Sequence, residues 1–440
     1  MTNTRNWPVV AAAALAVMAL GCGSAQSAET QPIVIIAGNA WDGVSDAPMG
    51  PTEILVEYGK IAAIGPKVDH PAGARIIGLP DHMVTPGFID SHVHVTLRPE
   101  IEDKVWNVSP SYMTLLGVEA LRTLLGHGFT TVRDVADVSL RGYTTVDLKH
   151  AIDQGLIPGP RVIPSGHMVS TRGGHGDGTP LISPDQSVEQ YGLADGVDEI
   201  RRTVRTEASR GAEWIKFAGT GGFSSPADDP SQVPYSQEEM NAIVETARDL
   251  NLPATPHAYG DEGIRRAIMA GVRSVEHGNL ASPETLKMMA EKGIFVVPTQ
   301  IAVVRQARLV DNDPFWAAAH KPPYVRAKYR KYAADIMASA RNLAASDVKI
   351  AFGTDIGTFS FEQNNAAEFA EMVANGIAPL RALKAATSVG AELLQQDDIG
   401  TLAVGKTADI VAMPGNPFTD ISVTEKVDFV MKSGAVFKSN

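Results

Sequence analysis

Gly87-Phe88-Ile89-Asp90-Ser91-His92-Val93-His94 reads as a short apolar strand that ends on two histidines. Residues two apart on a strand point to the same side, so both imidazoles leave it toward one point. Taken alone, the pair is as readily two polar residues near a strand end as a pair of ligands. Outward from it, further short apolar runs follow at residues 130–135, 161–166, 214–218, 254–257, 274–277, 295–298 and 350–354. With residues 88–95 these make eight candidate strands, separated by longer amphipathic stretches, which is the pattern of repeated βα units around a parallel sheet. The expected fold is α/β, a (β/α)8 barrel of the TIM type whose chemistry sits at the C-terminal ends of the strands.

Local signals agree with helices between the strands. Ser236-Gln237-Glu238-Glu239 is an N-cap with an acidic partner three residues on, and Asp261 opens a stretch that Gly271 closes. The Gly-rich residues 173–178 and the loop at 220–234 are too long and polar for plain connectors, and such loops often line sites. Short β-like runs at 33–37, 53–58 and 60–64 are echoed near the C-terminus by 400–403, 408–413 and 427–432. The expected organisation is a barrel at 85–395 and a small β-sandwich domain built from 29–84 and 396–440.

A chain of 440 residues, 44% hydrophobic, can bury one large core. Its formal charge of −12 and the lack of any Lys/Arg run argue against a nucleic-acid partner. Arg5 precedes an apolar stretch at 7–20 and a small-residue region at 21–28, so residues 1–28 read as a signal peptide and the protein as exported, periplasmic or secreted. The stretch is shorter than the ~20 residues of a membrane-spanning helix. Cys22, the sole cysteine, follows Ala19-Leu20-Gly21 in a loose likeness to a lipoprotein processing site, so anchoring through Cys22 is the lesser alternative. Cleavage after Ser27 or Ala28 would leave no thiol for a disulfide or for a zinc site.

His257 ends the fifth apolar run, His277 the sixth, and Asp355 follows the eighth. With His92 and His94 they bring five metal-type ligands to matching strand ends, for which packing offers no ordinary explanation. Imidazole and carboxylate without thiolate suit Zn²⁺ or a similar divalent ion, and so many ligands suggest two ions. Lys216 lies in the fourth run, where burial would favour the neutral amine. From the residues alone it reads more readily as a lysine that snorkels outward or pairs with a carboxylate.

In order along the chain, His92, His94, Lys216, His257, His277 and Asp355 resemble the metal site of the amidohydrolase superfamily, and the likeness runs over nearly the whole chain after the leader. Gly400-Thr401-Leu402, Gly405-Lys406 and Ala408-Asp409-Ile410-Val411 also resemble that family. The resemblance implies that Lys216 is carbamylated by CO2 and bridges two divalent ions. A water shared by the ions would lose a proton near neutral pH, with Asp355 accepting it and passing it to the leaving nitrogen.

Gly173-Gly174-His175-Gly176-Asp177, Ala218-Gly219-Thr220-Gly221-Gly222, Asp228-Asp229-Pro230 and Tyr235-Ser236 are similar to the group holding Xaa-Pro dipeptidase-like and carboxypeptidase-like members, some of which hydrolyse ochratoxin A. The implied reaction is hydrolysis of a small or dipeptide-like amide with release of a C-terminal amino acid, by a protein that commonly forms homo-oligomers. By the same resemblance His167, His175 and Tyr235 approach the substrate. Each has a plainer reading: a core histidine, a turn stabiliser and a packing tyrosine. Hydrolysis of cyclic amides, lactones or phosphotriesters on the same site, and a non-catalytic exported binding protein, are the alternatives. The lysine argues against deaminases, and the flanking β domain against phosphotriesterases.

Overall fold

The described residues open with four strands, β1 (Ile33–Ala40), β2 (Gly50–Glu57), β3 (Lys60–Gly65) and β4 (Arg75–Pro86). Eight follow between helices: β5 (Phe88–Val93), β6 (Phe129–Asp134), β7 (Arg161–Pro164), β8 (Ile215–Ala218), β9 (Ala254–Gly260), β10 (Ser274–Leu280), β11 (Phe295–Val297) and β12 (Lys349–Ile350). Three more, β13 (Ile410–Pro414), β14 (Phe429–Lys432) and β15 (Ala435–Ser439), complete the order. This computed structural model describes residues 31–183, 185, 189–319 and 321–439, so the expected leader and Cys22 lie outside the described residues.

The two chain ends do meet. They form one continuous seven-stranded sheet, β15-β14-β13-β4-β1-β2-β3, whose β3 edge is bonded back to the segment before β13 by the Lys60–Thr407 bridge and by Ile61 N donating to Lys406 O. The ends meet through the twelve-residue β4. Arg75–Leu79 and, after a register shift, Met83–Val84 pair in parallel with β1, while His82–Pro86 pairs antiparallel with β13 along its other edge, so a single long strand joins both ends. Ile35, Ile54, Ile77, Val84, Ile410 and Met431 fill its core.

The eight middle strands form two parallel sheets, β12-β11-β10-β9-β8 and β5-β6-β7. Single parallel bridges link their margins, Val169 to Phe217 and Val93 to Ile356. Residues of β5, β9 and β10 are buried almost throughout, as expected of parallel strands covered on both faces. Phe88, Phe129, Phe352 and Phe369 pack ring on ring between β5, β6 and the helix Ala367–Ala374, with centroids 4.4–5.7 Å apart. Truncating one such ring to alanine costs about 3–5 kcal/mol.

The eighth strand is shorter than the expected 350–354. Regular pairing stops at Ile350 because the following backbone bends toward β5: Ser91 N donates to Phe352 O, and Asp355, at φ 63°, donates its N–H to His92 O. The capping box at Ser236 and Glu239 forms as its sequence predicts, and Gly271 ends its helix in the left-handed conformation. Asp261 lies inside its helix rather than capping it, and its carboxylate accepts from Ser282 N. Among the described residues, no helix is long and apolar enough to cross a membrane.

Candidate metal centre

β5 delivers His92 and His94, and the segment after β12 delivers Asp355. The two are zipped by Asp355 N donating to His92 O (2.8 Å) and His94 N donating to Ile356 O (2.9 Å). Asp355 Oδ1 consequently lies 3.2 Å from His94 Nε2 and 3.4 Å from His92 Nε2. Ligand atoms of the three residues all fall within 4.8 Å of one another. Asp355 and His277 both adopt positive φ, 63° and 69°, a region that non-glycine residues occupy at some cost and that often marks functional sites.

His277 enters from β10 and His257 from β9. Their rings meet edge-on at 4.6 Å, and His277 lies 4.9 Å from His92. Thr299 Oγ1 holds His277 Nδ1 at 2.8 Å, and Gly221 O lies 3.3 Å from His257 Nε2. Lys216, from β8, is 2% exposed. All six side chains line one cavity of about 230 Å³. The sequence thus placed every candidate ligand on the same site.

Beneath them lies a fully buried ionic network. Glu276 accepts from Arg133 (2.6 Å) and Thr255 (2.6 Å), and its Oε2 lies 2.7 Å from His92 Nδ1. Arg133 also donates to Ser91 O and stacks over Trp214 at 4.3 Å. Burial by itself would raise the Glu276 carboxyl, but Arg133 and His92 outweigh it and hold the group well below its ordinary range.

The electrostatics make the set a cation receptor. Burial, aided by neighbouring positive groups, drives His257 and His277 well below the ordinary imidazole value, which leaves them neutral. Asp355 is raised by burial yet held far below its usual value by His92 and His94, so it is ionised. Burial brings Lys216 down to about 8, partly offset by Glu276 and Asp355. His92 Nε2 is buried and makes no hydrogen bond. Burial lowers His94 but Asp355 outweighs it and raises the ring above its ordinary value, so His94 would give up a proton when an ion binds. The neutral rings of His257 and His277 and the ionised Asp355, lining one cavity with His92 and His94, are donors that fit a divalent metal ion.

His167 and His175 also line the cavity. His175 stacks on His257, centroids 3.9 Å apart, with Nδ1 2.9 Å from Ser225 Oγ. Tyr235 does not reach the cavity. It is fully buried, its hydroxyl donates to Ala194 O at 3.1 Å, and it is a packing residue rather than a substrate contact. Tyr259 lines the cavity instead, stacked on His277 at 4.7 Å. Its signal was present: two residues beyond His257 on one strand, it faces the same side. Glu276 was also missed, although a charged residue inside an apolar run, next to His277, is a signal of its own.

The chain matches the amidohydrolase family over residues 83–437. It is 30% identical to an ochratoxinase from Aspergillus niger, the match covering 94% of this chain and 88% of that protein. It superposes with a TM-score of 0.84 and 34% identity on a crystal structure of a Xaa-Pro dipeptidase with methionine bound in the active site, covering 93% of this chain and all (100%) of that one. A prolidase complexed with N-methylphosphonate-L-proline gives a TM-score of 0.83 at 31% identity, over 93% of this chain and 100% of that one. A match of this extent, with the ligand set folded onto one cavity, places the protein: it is a hydrolytic enzyme, and the chain belongs to the amidohydrolase family.

Proposed function

We propose that this enzyme is a two-metal amidohydrolase that cleaves an amide to release a C-terminal amino acid, within a closed eight-stranded barrel. The convergence of His92, His94, Lys216, His257, His277 and Asp355 on one cavity carries the reading. The likeness to an ochratoxinase and to dipeptidases supports the substrate class, and the bridges at Val169 and Val93 support closure. The leader-like residues 1–28 support export.

His92, His94, His257, His277 and Asp355 would hold two divalent ions, with zinc suiting the donors. Lys216 would complete the set as a carbamate, since burial enlarges the fraction of neutral amine, the form that combines with CO2. Bound ions would acidify a water and polarise the amide carbonyl. Asp355, already ionised, accepts the proton and returns it to the leaving nitrogen. His167 and Tyr259 face the space where the substrate oxygens would lie. Leu97, Val105, Leu140 and Phe223 form an apolar wall for the acyl part, which limits access of bulk water.

The test is a hydrolysis screen of the metal-loaded protein against N-acyl amino acids, Xaa-Pro dipeptides and ochratoxin A, with a chelated control. Chelator-sensitive release of the C-terminal amino acid is expected. Silence on all three, with turnover of a lactone, cyclic imide or phosphotriester, would overturn the substrate class.

A further inference from the structure

A second buried ionic unit stands behind the cavity wall, apart from the six ligand candidates. His167, in the turn after β7, is 3% exposed, and Glu207, from the helix Gly196–Ser209, is 1% exposed. Glu207 Oε2 accepts the His167 backbone N–H at 2.9 Å and lies 3.2 Å from His167 Nδ1. Its other oxygen accepts the Tyr143 hydroxyl at 3.1 Å. Among the described residues, the ion-pair partner of Glu207 is His167. The backbone is cut to allow this approach: Gly166 has φ +64°, and a Cβ there would lie 2.3 Å from Glu207 Oε2.

On its other side the ring is open. His167 Nε2 is buried, makes no hydrogen bond, and belongs to a residue lining the cavity. Tyr143 and Tyr191 pack edge-on against the imidazole at 4.9 and 5.4 Å and fix its plane. With Nδ1–H given to Glu207, a neutral ring would turn a lone pair toward the cavity and repel a carbonyl or carboxylate oxygen. A doubly protonated ring would turn an N–H there.

We propose that Glu207 is a positioning residue that keeps His167 as an imidazolium, so that Nε2–H donates to a negatively charged oxygen of the substrate. A buried carboxylate is costly without a counter-charge, so the pair stabilises the charge on both partners. Burial alone works against a charged ring, but Glu207, with smaller contributions from Asp137 and the Gly142 backbone carbonyl, outweighs it and holds His167 above its ordinary value. Of the other groups facing the unit, Tyr143 is kept neutral by burial and by Glu207, and Arg210 sits 5.9 Å over the Tyr143 ring. The role in catalysis rests on the amide-hydrolase reading; the protonation state does not.

The decisive measurement is ¹⁵N NMR of histidine-labelled, zinc-loaded protein at pH 7, with His167→Asn to assign the signal. Both ring nitrogens of His167 are expected to carry protons, and a neutral tautomer in the wild type would overturn the proposal even if no variant folds. In Glu207→Gln the ring should lose its second proton at a lower pH. On an amide that the wild type turns over, kcat/KM should fall about 10²-fold, the scale of losing one oxyanion donor, and the alkaline limb of the pH profile should move to lower pH. An unmoved limb contradicts the proposal, because a purely structural defect would lower activity without shifting it. Absence of amide turnover by the wild type would count against the functional reading and leave the NMR result standing.

Discussion

His92 Nδ1 lies 2.7 Å from Glu276 Oε2, and this contact decides which nitrogen of His92 faces the cavity. A carboxylate behind a ligating histidine fixes the ring's tautomer and orientation and makes the free nitrogen a better donor. Glu276 can serve because Arg133 and Thr255 hold its other oxygen.

Glu276→Gln should weaken metal binding about 10–100-fold, the usual cost of removing a partner behind a ligand. It also leaves Arg133 buried without its counter-charge, which costs about 3–5 kcal/mol. Competition with a chromophoric chelator reads the first effect and urea unfolding the second. Affinity equal to wild type would show that Glu276 does not orient His92.

Asp355→Asn preserves the shape of the side chain but not its charge. Metal content, measured by inductively coupled plasma mass spectrometry, should fall much less than rate, while kcat drops about 10²–10⁴-fold through loss of the proton acceptor. Activity near wild type would remove Asp355 from the proton path.

Tyr235→Phe should lower stability by about 1 kcal/mol, the net value of its bond to Ala194 O, and leave KM unchanged. A raised KM with unchanged stability would restore the substrate role expected from sequence.

Asp229 ties the loop after β8 to the helix Pro323–Ala345 by accepting from Lys331 Nζ (2.9 Å) and the Tyr332 hydroxyl. Partial burial raises the carboxyl, but these bonds outweigh it and hold the group below its ordinary value. A depressed carboxyl stabilises above its unfolded pKa and loses that contribution as pH falls toward the folded one. Amide exchange in residues 219–235, taken relative to the intrinsic rate at each pH, should therefore quicken on acidification, starting below roughly pH 4. Asp229→Asn should quicken it at neutral pH and flatten the response. Equal protection in both proteins would contradict the tether.

The candidate ligands His92, His94, His257, His277 and Asp355 were legible because they stand at the ends of short apolar runs, a pattern that survives without knowledge of tertiary contacts, whereas Lys216, inside its run, was legible only through the family resemblance. Glu276 was not read because its partners Arg133 and His92 are 143 and 184 residues away, a pairing that only the folded sheet creates. Tyr235 was misassigned through its likeness to a loop motif. It stands just before the N-cap Ser236, where an apolar residue pairs with the fourth helical residue, and Tyr235 and Met240 are both fully buried in one core. The single sheet that joins both ends was not legible for a related reason: nothing in the composition of 75–86 announces that one strand will pair with β1 along one edge and with β13 along the other.

Titrating metal-free protein with zinc, while following release of the C-terminal amino acid from an N-acyl substrate, decides whether the site is a two-metal hydrolytic centre. No release is expected without metal, and activity should rise to a plateau at about two equivalents per chain. Full activity in the metal-free protein, or a plateau at one equivalent, would contradict it.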